Sequence, residues 1–158
     1  MRRRALLAVA AASTTVPLAG CPTPPWGEVP ETVDGAEVTV RHEHTGAFDP
    51  GEPAHRDAAV LLRALDADPP RLTVRGQLLD GARECYRIDL VEADLTRSRL
   101  LIRLATEDDP DWEGDACPDV AQAHPYEVAV AFREAPVPDR VEVRHGDETV
   151  LEEAVETG

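Results

Sequence analysis

Pro125-Tyr-Glu-Val-Ala-Val-Ala-Phe132 decides the fold class. Its large apolar residues, Tyr126, Val128, Val130 and Phe132, fall at every second position, so an extended chain carries them all on one face. A helix would scatter the same residues around its axis. The pattern recurs on both sides of this stretch. Upstream, Glu37 to His44 places Val38, Val40, His42 and His44 on one face, and Arg71 to Leu79 keeps Leu72 and Val74 in phase. Cys85 to Val91 and Arg99 to Ala105 alternate about a polar turn near Asp94 to Ser98, which predicts a hairpin. Downstream, Arg140 to His145, a turn at Gly146-Asp147 and Thr149 to Leu151 predict a closing hairpin.

One segment breaks the rhythm. Asp57-Ala-Ala-Val-Leu-Leu-Arg-Ala-Leu65 is rich in good helix formers, with Asp57 as an N-cap and Pro69-Pro70 as the stop. About seven short strands with turn signals every ten or so residues predict an all-β domain. The expected architecture is an antiparallel β-sandwich or small barrel, with an immunoglobulin-like sandwich in the lead and one short helix. No repeat of solenoid period is present.

The chain has 158 residues, enough for one domain of ordinary size. Apolar residues make up 42% and aromatics 4%, so the core must come mainly from Val, Leu, Ile and Ala. Acidic residues number 31 against 16 basic ones, all of them Arg, for a net charge of −15. That balance excludes a basic nucleic-acid binder, and the apolar content excludes a wholly disordered chain.

The N-terminus carries an address. Met1-Arg-Arg-Arg-Ala5 is basic, and Ala5 to Gly20 holds no charge. Sixteen residues as a helix reach about 24 Å, short of a hydrocarbon core of about 30 Å, so the segment predicts a signal peptide over 1–20 and not a permanent span. It ends in Leu18-Ala19-Gly20-Cys21, which resembles the lipobox of secreted lipoproteins. The resemblance implies Cys21 as the lipidation site and new N-terminus, with a thioether-linked diacylglyceryl group on its thiol. Arg2-Arg3-Arg4 also resembles a twin-arginine export signal, without its flanking Ser/Thr, Phe and Lys. Residues 21–35, with Pro22, Pro24, Pro25 and Pro30, predict a lipidated Pro-rich tether, and 36–158 a single β domain.

Removing residues 1–20 takes away three Arg and no acid, so −15 becomes −18. At molar salt the Debye length falls to about 3 Å and such self-repulsion is screened. A strongly acidic, Lys-free surface resembles proteins of extremely halophilic archaea, and the chain as a whole resembles their small lipoproteins without assigned activity. Acidic patches are then a solvent adaptation first. With Cys21 given to lipid, Cys85 and Cys117 remain as an even pair in an exported domain and predict a disulfide. It would close about 31 residues and contribute about 3.5–4 kcal/mol in the chain-entropy model.

His42, His44 and His55 are the pointed candidates for a metal, since two strand imidazoles on one face and a loop imidazole suit Zn²⁺ or Cu²⁺. Against this stands a strand end emerging into water, where His replaces Val. His124 and His145 are isolated and expected at the surface or at strand ends. Asp108, Asp109, Asp111, Glu113 and Asp115 resemble a calcium loop in composition but not in order. There is no G-x-S-x-G, no phosphate-binding glycine loop and no H-E-x-x-H, and a catalytic role is not expected. The sequence thus predicts a non-catalytic binding or envelope-associated module, held by lipid through Cys21 on the extracytoplasmic face of the cell membrane. Its partner, a protein or small molecule and not a nucleic acid, is left open, and no cofactor is expected. The alternative is a Zn- or Cu-binding lipoprotein using the three histidines.

Overall fold

The computed structural model describes residues 31–42 and 56–156, which form nine strands and no helix. They are β1 (Glu31–Val33), β2 (Ala36–His42), β3 (Ala58–Ala64), β4 (Arg71–Asp80), β5 (Tyr86–Leu95), β6 (Arg99–Asp108), β7 (Gln122–Phe132), β8 (Arg140–His145) and β9 (Glu148–Ala154). Two sheets pack face to face as a β-sandwich: a five-stranded one in the order β1-β2-β7-β4-β3 and a four-stranded one in the order β5-β6-β8-β9.

The decisive stretch lies in β7, at the centre of the five-stranded sheet, between β2 and β4. Its inward residues form rows with their neighbours. Val38, Val130 and Leu72 make one, Val40, Val128 and Val74 the next, and His42, Tyr126 and Gly76 the third. From the opposite sheet Leu100, Ile102 and Leu104 of β6 and Val141 and Val143 of β8 complete a single core. Each fully buried side chain of this size contributes about 1.5–3 kcal/mol of transfer free energy.

The chain leaves β6, crosses to β7 in the other sheet and returns as β8. Two reversals leave β6 and β8 parallel, whereas every other pair is antiparallel. An immunoglobulin sandwich sends its third strand to the second sheet. Here β3 is instead the outer edge of the first sheet, so the architecture matches the expected sandwich while the strand order is different.

The expected helix at 57–65 is corrected to the edge strand β3, which pairs with β4 along all of its 7 residues. Leu61 points into the core at 7% exposure, while Val60 and Leu62 point outward at 54% and 44%. Alanines and leucines favour a helix locally, but an isolated helix of this length is marginal in water. A complete backbone ladder to β4 overrides that preference.

Turns follow their residues. Asp34 and Gly35 both have positive φ, 48° and 87°, and join β1 to β2 by a two-residue hairpin. Glu31 to Val33, the end of the segment read as tether, therefore pair with β2. Strand β5 hides a parity problem. Ile88 points into the core, and simple alternation would turn Glu92 and Asp94 inward after it. A bulge between Leu90 and Glu92 resets the register, so Ala93 opposes Ile102 and Leu95 opposes Leu100, while Val91 is exposed.

Candidate functional site

Cys21, expected as the lipidation site, residues 1–20, expected as the signal peptide, and His44 and His55 lie outside the described residues. His42 ends β2 beside Tyr126 and is part-buried. No group of three His, Cys, Asp or Glu side chains gathers at metal-binding distance among the described residues. The acidic segment after β6 is mostly exposed and held through its backbone amides: Asp109 N donates to Cys85 O at 2.8 Å, and Asp111 N to Asp109 Oδ1 at 2.9 Å. Cys85 and Cys117 are disulfide-bonded, with Cα atoms 5.9 Å apart. The bond ties the start of β5 to the connection between the sheets.

The two histidines expected at the surface or at strand ends are both buried, His124 within β7 at 3% and His145 at the end of β8 at 8% exposure. His124 Nε2 meets Gly81 O at 2.8 Å. His145 shares the inward parity of Val141 and Val143, and that period was the signal in the sequence. Its Nε2 lies 2.8 Å from the Tyr126 hydroxyl and its Nδ1 lies 3.1 Å from Asp57 Oδ1. A neutral ring protonated on Nδ1 satisfies both bonds, donating to the carboxylate and accepting the phenol proton. Asp57 Oδ1 also accepts from Leu79 N at 2.8 Å, so the expected helix cap instead fastens β3 to β4.

Burial, against the pull of Asp57 and Glu148, lowers the His145 pKa, while burial and then the charge of Asp57 push Tyr126 up. A carboxylate, an imidazole and a hydroxyl in series have the order of an acyl-transfer relay. Here the hydroxyl is a phenol at 1% exposure with its proton held more tightly. The chain of groups joins the two sheets and presents no nucleophile to solvent. Gly76 makes room for it: a Cβ there would stand 2.5 Å from both the Tyr126 hydroxyl and Ala58 O.

The outward face of the five-stranded sheet is the other candidate. The register stacks three rows across β3, β4, β7 and β2. Val60, Arg75, Glu127 and Arg41 form one, Leu62, Thr73, Ala129 and Thr39 the middle one, and Ala64, Arg71, Ala131 and Glu37 the third. Small residues in the middle row leave a trough of about 200 Å³. Along one wall Glu127 accepts from Arg75 Nε at 2.5 Å and lies 3.8 Å from Arg41. Along the other, Arg133 Nε reaches Glu37 at 3.3 Å, and Arg71 stands exposed without an ion-pair partner among the described residues.

The four-stranded sheet is built differently. Glu142 is central, receiving Arg144 at 2.6 Å, Arg99 at 3.2 Å and Thr149 at 3.3 Å. The hydrogen bond from Arg144 leads, over an opposing effect of burial, in holding the Glu142 carboxyl below its usual range. Arg103 pairs with Glu92 and Asp147, and Arg140 with Glu152. The trough was not foreseen, because its arginines come from separated segments that only the strand order brings together. Compared with protein-family models, curated proteins and solved structures, the chain matches none.

Proposed function

We propose that the chain is a lipid-anchored extracytoplasmic module that binds a partner and does no chemistry of its own. The observation that carries this reading is the Cys85–Cys117 bond, which belongs to an oxidising compartment, in a chain that opens with a basic n-region, an apolar run and Leu18-Ala-Gly-Cys21. Diacylation at Cys21 would hold the domain at the membrane, since two acyl chains give stable attachment where one is marginal. The acid excess suits concentrated salt, where screening removes the self-repulsion. The inward-facing polar chain from Asp57 to Tyr126 supports binding over catalysis, because its polar atoms are used in holding the sheets together.

Mass spectrometry of the protein from membranes of the producing cell tests the reading. The expected result is a chain beginning at Cys21 with a thioether-linked diacylglyceryl group. An N-terminus retaining residues 1–20, or an unmodified Cys21, would overturn it.

A further inference from the structure

We infer that edge strand β3 pairs with β3 of a second copy of this chain, antiparallel about a two-fold axis at Leu61, so that two five-stranded sheets join into one of ten strands. The pairing goes beyond the binding-module reading and does not depend on it. Unpaired strand edges are templates for another chain, and proteins blunt them by shortness, bulges and charge. Among the described residues, three of the four edges of the sandwich are blunted in these ways. Strand β1 has three residues. Strand β5 is broken by the bulge after Leu90 and carries Asp89, Glu92 and Asp94. Strand β9 pairs with β8 across a register shift and carries Glu148, Glu152 and Glu153. Strand β3 has none of these devices. Its 7 residues hold an unbroken register with β4, contain no Pro, Gly or acid, and among the described residues pair on one side only. It also carries Val60 and Leu62, two of the four large apolar side chains exposed among the described residues.

A two-fold interface must be complementary to itself, because each residue meets the symmetric position of the partner. Ala58-Ala-Val-Leu-Leu-Arg-Ala64 meets that condition about Leu61. Val60 falls opposite Leu62 of the second copy, and Leu62 opposite its Val60, which gathers four exposed apolar side chains into one patch on the outward face. An axis at Val60 or at Leu62 would instead set the other of the two against an alanine. On the core side Ala59 falls opposite Arg63. The small alanine leaves the guanidinium room to stay on Glu153 Oε2 at 2.8 Å and Ala154 O at 2.9 Å. Beyond the strand ends the same axis sets Arg56 toward Asp66 of the second copy, an attraction that the symmetry makes twice. The acids of β9, which lies beside β3, oppose the approach. Of these, Glu152 is held by Arg140 and Glu153 by Arg63, and concentrated salt screens the remaining repulsion.

The test uses the full chain in detergent, across a salt series, with Val60→Cys and Leu62→Cys made as separate variants. Under mild oxidation an equimolar mixture of the two should cross-link through positions 60 and 62, mapped by peptide mass spectrometry, at least tenfold faster than either variant alone. Only directly opposed positions bring Cβ atoms within reach of a disulfide. In sedimentation equilibrium the unaltered chain should dimerise in molar salt, and more weakly as the salt is diluted. Leu62→Lys and Val60→Lys should each weaken the dimer at least tenfold, because two added cations face each other across the axis. Val91→Lys, at the exposed valine on the other sheet, should leave it unchanged. Unaltered thermal midpoints keep folding out of the comparison. A chain that stays monomeric at every salt concentration, a dimer that survives Leu62→Lys, or one lost in Val91→Lys would overturn the inference. Self-cross-linking of either cysteine variant as fast as the mixture would overturn the axis at Leu61. None of these results bears on the acylation of Cys21, so the anchor and the dimer fail separately.

Discussion

The two outward faces of the sandwich carry the same kind of cation and gather it in different ways. On the four-stranded sheet Arg99, Arg103, Arg140 and Arg144 each have a carboxylate, and Glu142 draws two of them to one point. The edge of that half is also tied, through Cys85, to the connection that leads into β7. On the five-stranded sheet Arg75 meets Glu127 and Arg133 meets Glu37, Arg71 has no ion-pair partner among the described residues, and edge strand β3 shows Val60 and Leu62 to solvent.

If the tied half is where stability is concentrated, cutting the Cys85–Cys117 bond gives the largest effect. Spanning a separation of 32 residues, it should contribute about 3–4 kcal/mol, read as a lowered denaturation midpoint of Cys85→Ser/Cys117→Ser in high salt. Glu142→Gln comes next, with a loss of about 1–3 kcal/mol, because two guanidinium groups lose their shared acceptor. The pH sign is fixed by the lowered carboxyl: its stabilisation is present above the usual carboxylate range and disappears as pH falls through the folded value. The Gln variant should therefore show a flatter acid limb.

His145 acts in a separate window. Its pKa is lowered in the fold, so the stability it provides as a neutral group is complete above about pH 6.5 and is lost as pH falls from there through the folded value. Denaturation midpoints between pH 8 and 5 should decline, and His145→Gln should flatten that decline. Smallest is Glu127→Gln, about 1 kcal/mol or less, since one close and one distant arginine are affected and both guanidinium side chains reach solvent while the carboxylate itself is buried. A loss equal to that of Glu142→Gln would erase the difference between the faces.

Much of this architecture was legible because half-buried strands leave a period of two. The stretch 125–132, the β5–β6 and β8–β9 hairpins and the cysteine pair all follow from residue order alone. The segment 58–64 misled because its alanines and leucines express a local preference, whereas its conformation is set by pairing with a strand seven residues further on. The bulge after Leu90 was equally hidden: only the partner strand shows that Ala93 and Leu95, in place of Glu92 and Asp94, must turn inward. His145 was readable from its parity with Val143, but its partners Asp57 and Tyr126 are 88 and 19 residues away. The arginine rows needed the order β2-β7-β4, which alternation does not encode.

The most direct measurement is the rate at which each arginine reacts with a dicarbonyl reagent, followed peptide by peptide in the mass spectrometer. Arg71, exposed and without an ion-pair partner among the described residues, should be modified well ahead of Arg99 and Arg144, whose guanidinium groups are engaged by Glu142. Equal rates for Arg71 and for the two arginines bound to Glu142 would contradict the ion-pair network that sets the four-stranded face apart.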